Sequence, residues 1–212
     1  MPGRVKSRLW THLTPEQSCQ LHWACIQDMA ALLNHALPQL PKWLFLSDDP
    51  NADITLPSGF RCVVQEGATL GDRMAAAFTR AFASGARRVV IFGSDSPTLP
   101  EGIPQQAFEA LDDSDVVLGP TEDGGYYLIG CRRFDAALFR GVEWSTPRTL
   151  QQTLSNAERQ RCRATMLERW FDLDEWKDVE RLLAAAHREN SLPSNLATFL
   201  KQLEGAGLSS SS

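Results

Sequence analysis

The chain has 212 residues, a net charge of −5 and a pI near 5.4, which argues against a general nucleic-acid binder. Hydrophobic residues make up 43% and charged residues 22%, the composition of a soluble globule long enough to bury a real core. No apolar run approaches the ~20 residues of a membrane helix, no secretory leader pattern opens the chain, and five scattered cysteines contain no CxxC pair, so a cytoplasmic protein without a zinc knuckle or redox motif is expected.

The opening stretch Met1-Pro2-Gly3-Arg4-Val5-Lys6-Ser7-Arg8-Leu9 carries three cations at alternate positions beside a glycine. Arg4, Lys6 and Arg8 can converge on phosphate oxygens, or they form a solvated basic terminus. Thr14-Pro15-Glu16-Gln17 then starts a helix: Thr14 caps, Pro15 suits the first position, and Gln17 completes a capping box. Leu21, Cys25, Asp28-Met29, Leu32 and Leu33 continue it to about Leu37-Pro38. Trp43 to Ser47 reads as a strand ended by Asp48-Asp49-Pro50-Asn51, and Cys62 to Gln65 as a second.

Gln65 to Met74 passes from strand through loop to helix. Leu70, Met74, Ala77, Phe78, Ala81 and Phe82 make an apolar stripe at helical spacing. Gly67 and Gly71 allow a ligand close to the backbone, and Asp72 and Arg73 fall in the first turn. A plain connection with a charged helix start accounts for the same residues.

Val89-Val90-Ile91-Phe92 is a run of four apolar residues, the pattern of a strand buried on both faces. Gly93 frees the backbone, Asp95 follows, and Pro97 and Pro100 stop any regular continuation. Ligands of open α/β sheets bind at this edge. Asp95 can hold a metal, cap the next helix or close a turn.

Gln105 to Leu111 reads as a helix and Asp115 to Pro120 as a strand. Asp123-Gly124-Gly125 is strong turn chemistry before another strand, Tyr126 to Gly130. It forms a hairpin, or it lets a substrate lie against bare backbone with Asp123 reaching it. Trp144-Ser145-Thr146-Pro147 leads into a helix, with Thr146 capping and Trp144 either a ligand platform or a loop anchor. Asp172-Leu173-Asp174 leaves a strand for a helix containing Lys177 and Asp178, and Asp174 can be its N-cap. Leu196 to Leu203 is a last helix. Residues 1–204 read as one domain, α/β with three layers and a mostly parallel sheet, and the serine-rich tail 205–212 is expected to be disordered.

Taken in order, these motifs resemble a bacterial family of glycosyltransferase-A-like (GT-A) transferases associated with radical-SAM and selenium-related domains, once a domain of unknown function. The resemblance rests on Pro2 to Leu9, Gly67 with Leu70 to Met74, Gly93 to Pro97, Asp123 to Gly130, Trp144 to Pro147, and Asp172 to Asp174. More distantly the pattern is similar to molybdenum-cofactor and phospholactate guanylyltransferases. It implies a GT-A-like nucleotide-diphospho-sugar transferase fold and a metal-assisted transferase using a nucleotide or nucleotide-sugar. By it, Gly3, Arg4, Lys6 and Arg8 would hold nucleotide phosphates, with Gly71, Asp72 and Arg73 also on the nucleotide. Asp95 and Asp174 would bind Mg²⁺ or Mn²⁺. Asp123 would act in catalysis, and Gly124, Gly125, Trp144 and Ser145 would meet the substrate.

The chain departs from the family pattern twice. Family members carry an apolar strand just before the Pro-Gly-Arg loop, whereas Met1 stands directly at Pro2, so a truncated start lacking the first strand is expected. The late motif reads Asp174-Glu175-Trp176-Lys177-Asp178 rather than Asp-Thr-Pro-Glu-Asp, which leaves Asp172 as the alternative acid. Glycosyl transfer is the expected activity. Nucleotidyl transfer with release of pyrophosphate is the close alternative, because Asp95-Ser96-Pro97 replaces an Asp-x-Asp. A non-catalytic module holding a nucleotide or a partner is the third reading.

Overall fold

The computed structural model describes residues 5–47, 57–189 and 192–205. Gly3, Arg4, the Asp48 to Asn51 break and the tail beyond Gly205 lie outside them. The chain forms two compact units: Met1–Leu32 with Ser94–Leu99 and Asp172–Ser212, and Leu33–Gly93 with Pro100–Phe171.

Helix α1 spans Pro15–Ala36 and starts on the expected capping box. The Thr14 N–H donates to Gln17 Oε1 at 2.8 Å, and the Gln17 N–H donates to Thr14 Oγ1 at 3.2 Å. Two orphan donors of the first turn are thereby satisfied.

In the second unit, β1 (Lys42–Leu46) and β2 (Phe60–Val64) pair in parallel as a two-stranded sheet. Helix α2 (Leu70–Ala83) follows, then β3 (Val89–Phe92), α3 (Ile103–Asp113), β4 (Val116–Pro120) and β5 (Tyr126–Cys131). Helix α4 (Thr149–Arg159) and the short β6 (Ala164–Met166) complete the unit. A four-stranded sheet has the order β3-β5-β4-β6.

In that sheet β3, β4 and β6 share one direction and β5 runs against them. The sheet is therefore mixed where the sequence suggested a mostly parallel one. The reason is the Asp123-Gly124-Gly125 turn: so short a connection can join only antiparallel neighbours. Gly124 takes φ 88°, and a Cβ there would fall 2.3 Å from the Pro147 carbonyl oxygen. Glycine is required on both counts.

Strand alternation splits the apolar residues between two faces. Val116, Leu118, Ile129 and Cys131 pack with Phe78 of α2 and Ala157 of α4. On the other face Val90, Val117 and Leu111 of α3 close over Gly130, where an added Cβ would sit 2.7 Å from Val117 Cγ1. Helices thus cover both faces, giving the three-layer α/β arrangement. Val117, Leu118 and Cys131 are fully buried, each apolar side chain of this kind contributing ~1.5–3 kcal/mol over an exposed one.

The first unit holds the amino-terminal part of α1 with α5 (Trp176–Glu189) and α6 (Ser194–Gly205). Asp28 of α1 is 3% exposed and accepts hydrogen bonds from the Asn195 N–H, Asn195 Nδ2 and the Leu196 N–H at 3.0, 2.7 and 2.8 Å. A carboxylate at a helix N-terminus satisfies orphan donors and complements the dipole. Among the described residues no helix is long and apolar enough to cross a membrane.

Candidate functional site

Four of the predicted residues, Lys6, Arg8, Asp95 and Asp174, meet in the first unit. A 3-10 turn over Ser7–Leu9 carries one of the predicted cations, Arg8, and is anchored by Leu9, which has no exposure. Lys6 precedes it in the left-handed region at φ 48°, ψ 44°, a conformation a side-chain-bearing residue adopts at a cost. Its side chain is 3% exposed. The ammonium donates to Asp95 Oδ1 at 2.7 Å and to the Leu173 carbonyl at 2.5 Å, and lies 4.0 Å from Asp174 Oδ1. Arg8 is open to solvent, 3.6 Å from Asp174 and 3.9 Å from Glu175.

The acids are fixed by their own backbone. The Leu173 N–H donates to the Asp95 carbonyl at 2.7 Å, and the Ser96 hydroxyl donates to the Asp172 carboxylate. The Asp174 and Glu175 N–H groups both donate to Asp178 Oδ2, at 3.0 and 2.7 Å. Asp178, inside the first turn of α5, therefore reaches back to cap the loop, a role the sequence offered to Asp174. The Asp174 side chain is left 43% exposed.

Two residues of α1 border the pair without having been predicted. His22 Nδ1 lies 3.6 Å from Asp95 Oδ1 and is buried without a hydrogen-bond partner. Cys25 is fully buried. Burial pushes its thiol up to about 12, against the opposing Lys6 charge, so it stays neutral. No spacing signal could have found either residue, because each sits on an ordinary apolar helix face more than 60 positions from Asp95 in the chain.

Burial by itself would raise the Asp95 carboxyl, but the Lys6 charge and the neighbouring His22 more than reverse it, holding Asp95 well below the usual carboxylate range. Burial would likewise lower the Lys6 amine, and the Asp95 charge outweighs it and raises the amine instead. Both groups are ionised at neutral pH.

Three oxygens, Asp95 Oδ1, Leu173 O and Asp174 Oδ1, thus surround a single cationic point. An all-oxygen set of carboxylates and a carbonyl suits hard ions such as Mg²⁺ and Mn²⁺. Among the described residues no three His, Cys, Asp or Glu side chains converge on a metal position. The donor set fits an ion that keeps several waters or takes phosphate oxygens as its remaining ligands.

The other predicted residues among those described lie in the second unit, where most of them make protein contacts. Asp72 closes a capping box at α2: its N–H donates to Thr69 Oγ1 and its Oδ2 accepts from the Thr69 N–H, at 3.1 and 3.0 Å. Arg73 donates to the Gly67 carbonyl at 3.2 Å. Gly71 is covered by Trp144, whose indole would lie 2.7 Å from an added Cβ. Trp144 packs edge-on to Phe139 at 5.6 Å. Asp123 Oδ1 accepts from Thr121 Oγ1 at 2.5 Å and from the Gly125 N–H at 3.0 Å, the arrangement of a self-bonded turn. Ser145 is exposed with φ 58°.

Comparison with known proteins adds the following. The family described as "Uncharacterized protein conserved in bacteria (DUF2064)" matches residues 28–146, a span that includes Asp95 and Asp123. A crystal structure of a "putative nucleotide-diphospho-sugar transferase" from Desulfovibrio desulfuricans G20 superposes with a TM-score of 0.83 at 30% identity, covering 97% of this chain and 91% of that one. Rv0371c from Mycobacterium tuberculosis H37Rv shares the fold at a TM-score of 0.51 and 15% identity, over 76% of this chain and 83% of that one. No curated protein matches the chain. The fold is of the α/β, GT-A-like kind, and the chain belongs to the bacterial family DUF2064.

Proposed function

We propose that the protein is a transferase that takes a nucleotide or nucleotide-sugar donor together with Mg²⁺ or Mn²⁺ held by Asp95 and Asp174. The observation that carries the reading is the ionised Asp95 carboxylate in an oxygen-lined cradle beside Lys6 and Arg8. The 30% identical transferase-like relative supports it. Transfer from such a donor breaks a bond beside a diphosphate or pyrophosphate, whose developing charge must be neutralised. A divalent ion supplies part of that neutralisation. Lys6 and Arg8 supply positive charge from the protein, with Gly3 and Arg4 preceding them. Asp72, Asp123, Gly124, Gly125 and Trp144 have structural partners, and the reading assigns no chemistry to them or to Ser145.

Glycosyl transfer is the first form of this proposal. Nucleotidyl transfer is the second, favoured by the single acid of Asp95-Ser96-Pro97. The product separates them: free nucleoside diphosphate for glycosyl transfer, pyrophosphate for nucleotidyl transfer.

Thermal unfolding against a panel of nucleoside diphosphates, triphosphates and nucleotide-sugars, with and without Mn²⁺, tests the reading. At least one nucleotide should stabilise the protein only with metal, by about 2.7 kcal/mol at a hundredfold excess over Kd. Asp95→Asn should lose that shift. Breaking the Lys6 pair should itself cost only about 1–2 kcal/mol, discounted from a fully buried pair because Asp95 is 40% exposed. The same metal-dependent shift in Asp95→Asn, or none with any nucleotide in the native protein, would refute the proposal.

A further inference from the structure

Two roles assigned to adjacent groups compete for the same oxygens while the Lys6–Asp95 pair is closed. Lys6 Nζ stands 2.7 Å from Asp95 Oδ1. A Mg²⁺ bound to that oxygen would stand about 2.1 Å from it. Two cations so close to one carboxylate oxygen repel each other, and the Leu173 carbonyl that would complete a metal's oxygen set already accepts from the same ammonium. The oxygens that would take a metal are thus already engaged by the ammonium.

The cradle also stands without Lys6. Leu173 is joined to Asp95 through its backbone N–H, Asp178 holds the N–H groups of Asp174 and Glu175, and Ser96 holds Asp172. None of these bonds involves the ammonium. Lys6 itself ends a flexible four-carbon stem.

We propose that the Lys6 ammonium is an internal occupant of the cation cradle, which a divalent metal displaces on binding. The inference rests on the metal reading above and adds a competitor to it. Metal binding to the free protein is weakened by the need to expel Lys6. Once expelled, the ammonium leaves its buried position and becomes available to an anionic donor. The metal's arrival thus gates the residue that meets the phosphates.

The test uses Mn²⁺ alone, with free ion followed by electron paramagnetic resonance. Lys6→Met should bind Mn²⁺ more tightly than the native protein, on the order of tenfold, a usual size for coupling between sites. Asp95→Asn in either background should abolish that binding. A second measurement needs no variant at Lys6: amine acetylation of the native protein read by mass spectrometry. Lys6 should be protected without metal and labelled with it, while exposed Lys201 is labelled equally in both. If Lys6→Met fails to fold, the labelling decides alone. Asp95-dependent Mn²⁺ binding with Lys6 still protected, or with affinity unchanged or weaker in a folded Lys6→Met, overturns the exchange and leaves the metal reading standing. No Mn²⁺ binding in either protein overturns both.

Discussion

Asp95 and Lys6 form a pair in which the fold shifts both ionisations, and pH is the way to read it. Asp95 is held below its unfolded value of about 3.9, so its contribution is full above that pH and is lost as pH falls through the lower folded value. Lys6 is raised above about 10.4, so its contribution is full below that pH and is lost as pH rises through the higher folded value. The pair's own contribution should be flat across the interval between those reference values and fall on both sides, so Asp95→Asn should reduce both limbs relative to the native protein in denaturant titrations at a series of pH values. Unchanged limbs in the variant would mean that the pair contributes nothing. Gly71 gives a second residue-scale test. Gly71→Ala should cost about 1–3 kcal/mol by pushing the Trp144 indole off its seat, whereas a ligand-facing glycine would tolerate the methyl group and lose ligand binding instead. Asp95 was visible in the sequence because an apolar run, a glycine and two prolines frame it. His22 was not, because a lone histidine on an amphipathic helix looks the same whether or not a distant carboxylate approaches it.

At the scale of elements, legibility followed local chemistry. The Thr14/Gln17 box and the four apolar residues of β3 specify themselves through near neighbours, and both elements stand where the sequence placed them, although β3 is half-buried and pairs antiparallel with β5 at one end of the sheet where a strand buried on both faces was expected. Helix α4 begins at Thr149, two residues beyond the expected Pro147, and Thr146 Oγ1 instead accepts from the Arg148 N–H at 3.3 Å before the first turn. Strand β6 went unread. Its residues Ala164, Thr165 and Met166 carry neither alternation nor an apolar run, and only pairing with β4 makes them a strand. The direction of β5 was set by a turn and not by the strand's own residues. Docking of α6 is equally long-range, since Asp28 and Asn195 are 167 positions apart. Asp28→Ala removes three hydrogen bonds from a buried carboxylate and should cost about 2–4 kcal/mol. Hydrogen exchange should then show α6 opening ahead of the β4–β5 pair. Protection of α6 equal to that in the native protein would show that its apolar face suffices.

On the scale of the whole molecule, the sequence offered a single list of site residues, and the fold divides it. Lys6, Arg8, Asp95 and Asp174 gather in one unit, where segments far apart in the chain meet. Asp72, Asp123, Gly124 and Trp144 belong to the other and are engaged in capping, turning and packing. Motif spacing could not make that distinction, because a glycine or aspartate needed by a turn has the same sequence signature as one kept for a ligand. The decisive measurement is bound Mn²⁺, counted at saturating nucleoside diphosphate in Asp95→Asn and in Asp123→Asn. The account predicts that the first variant loses the ion and the second keeps it; equal retention by both, or loss confined to Asp123→Asn, would contradict it.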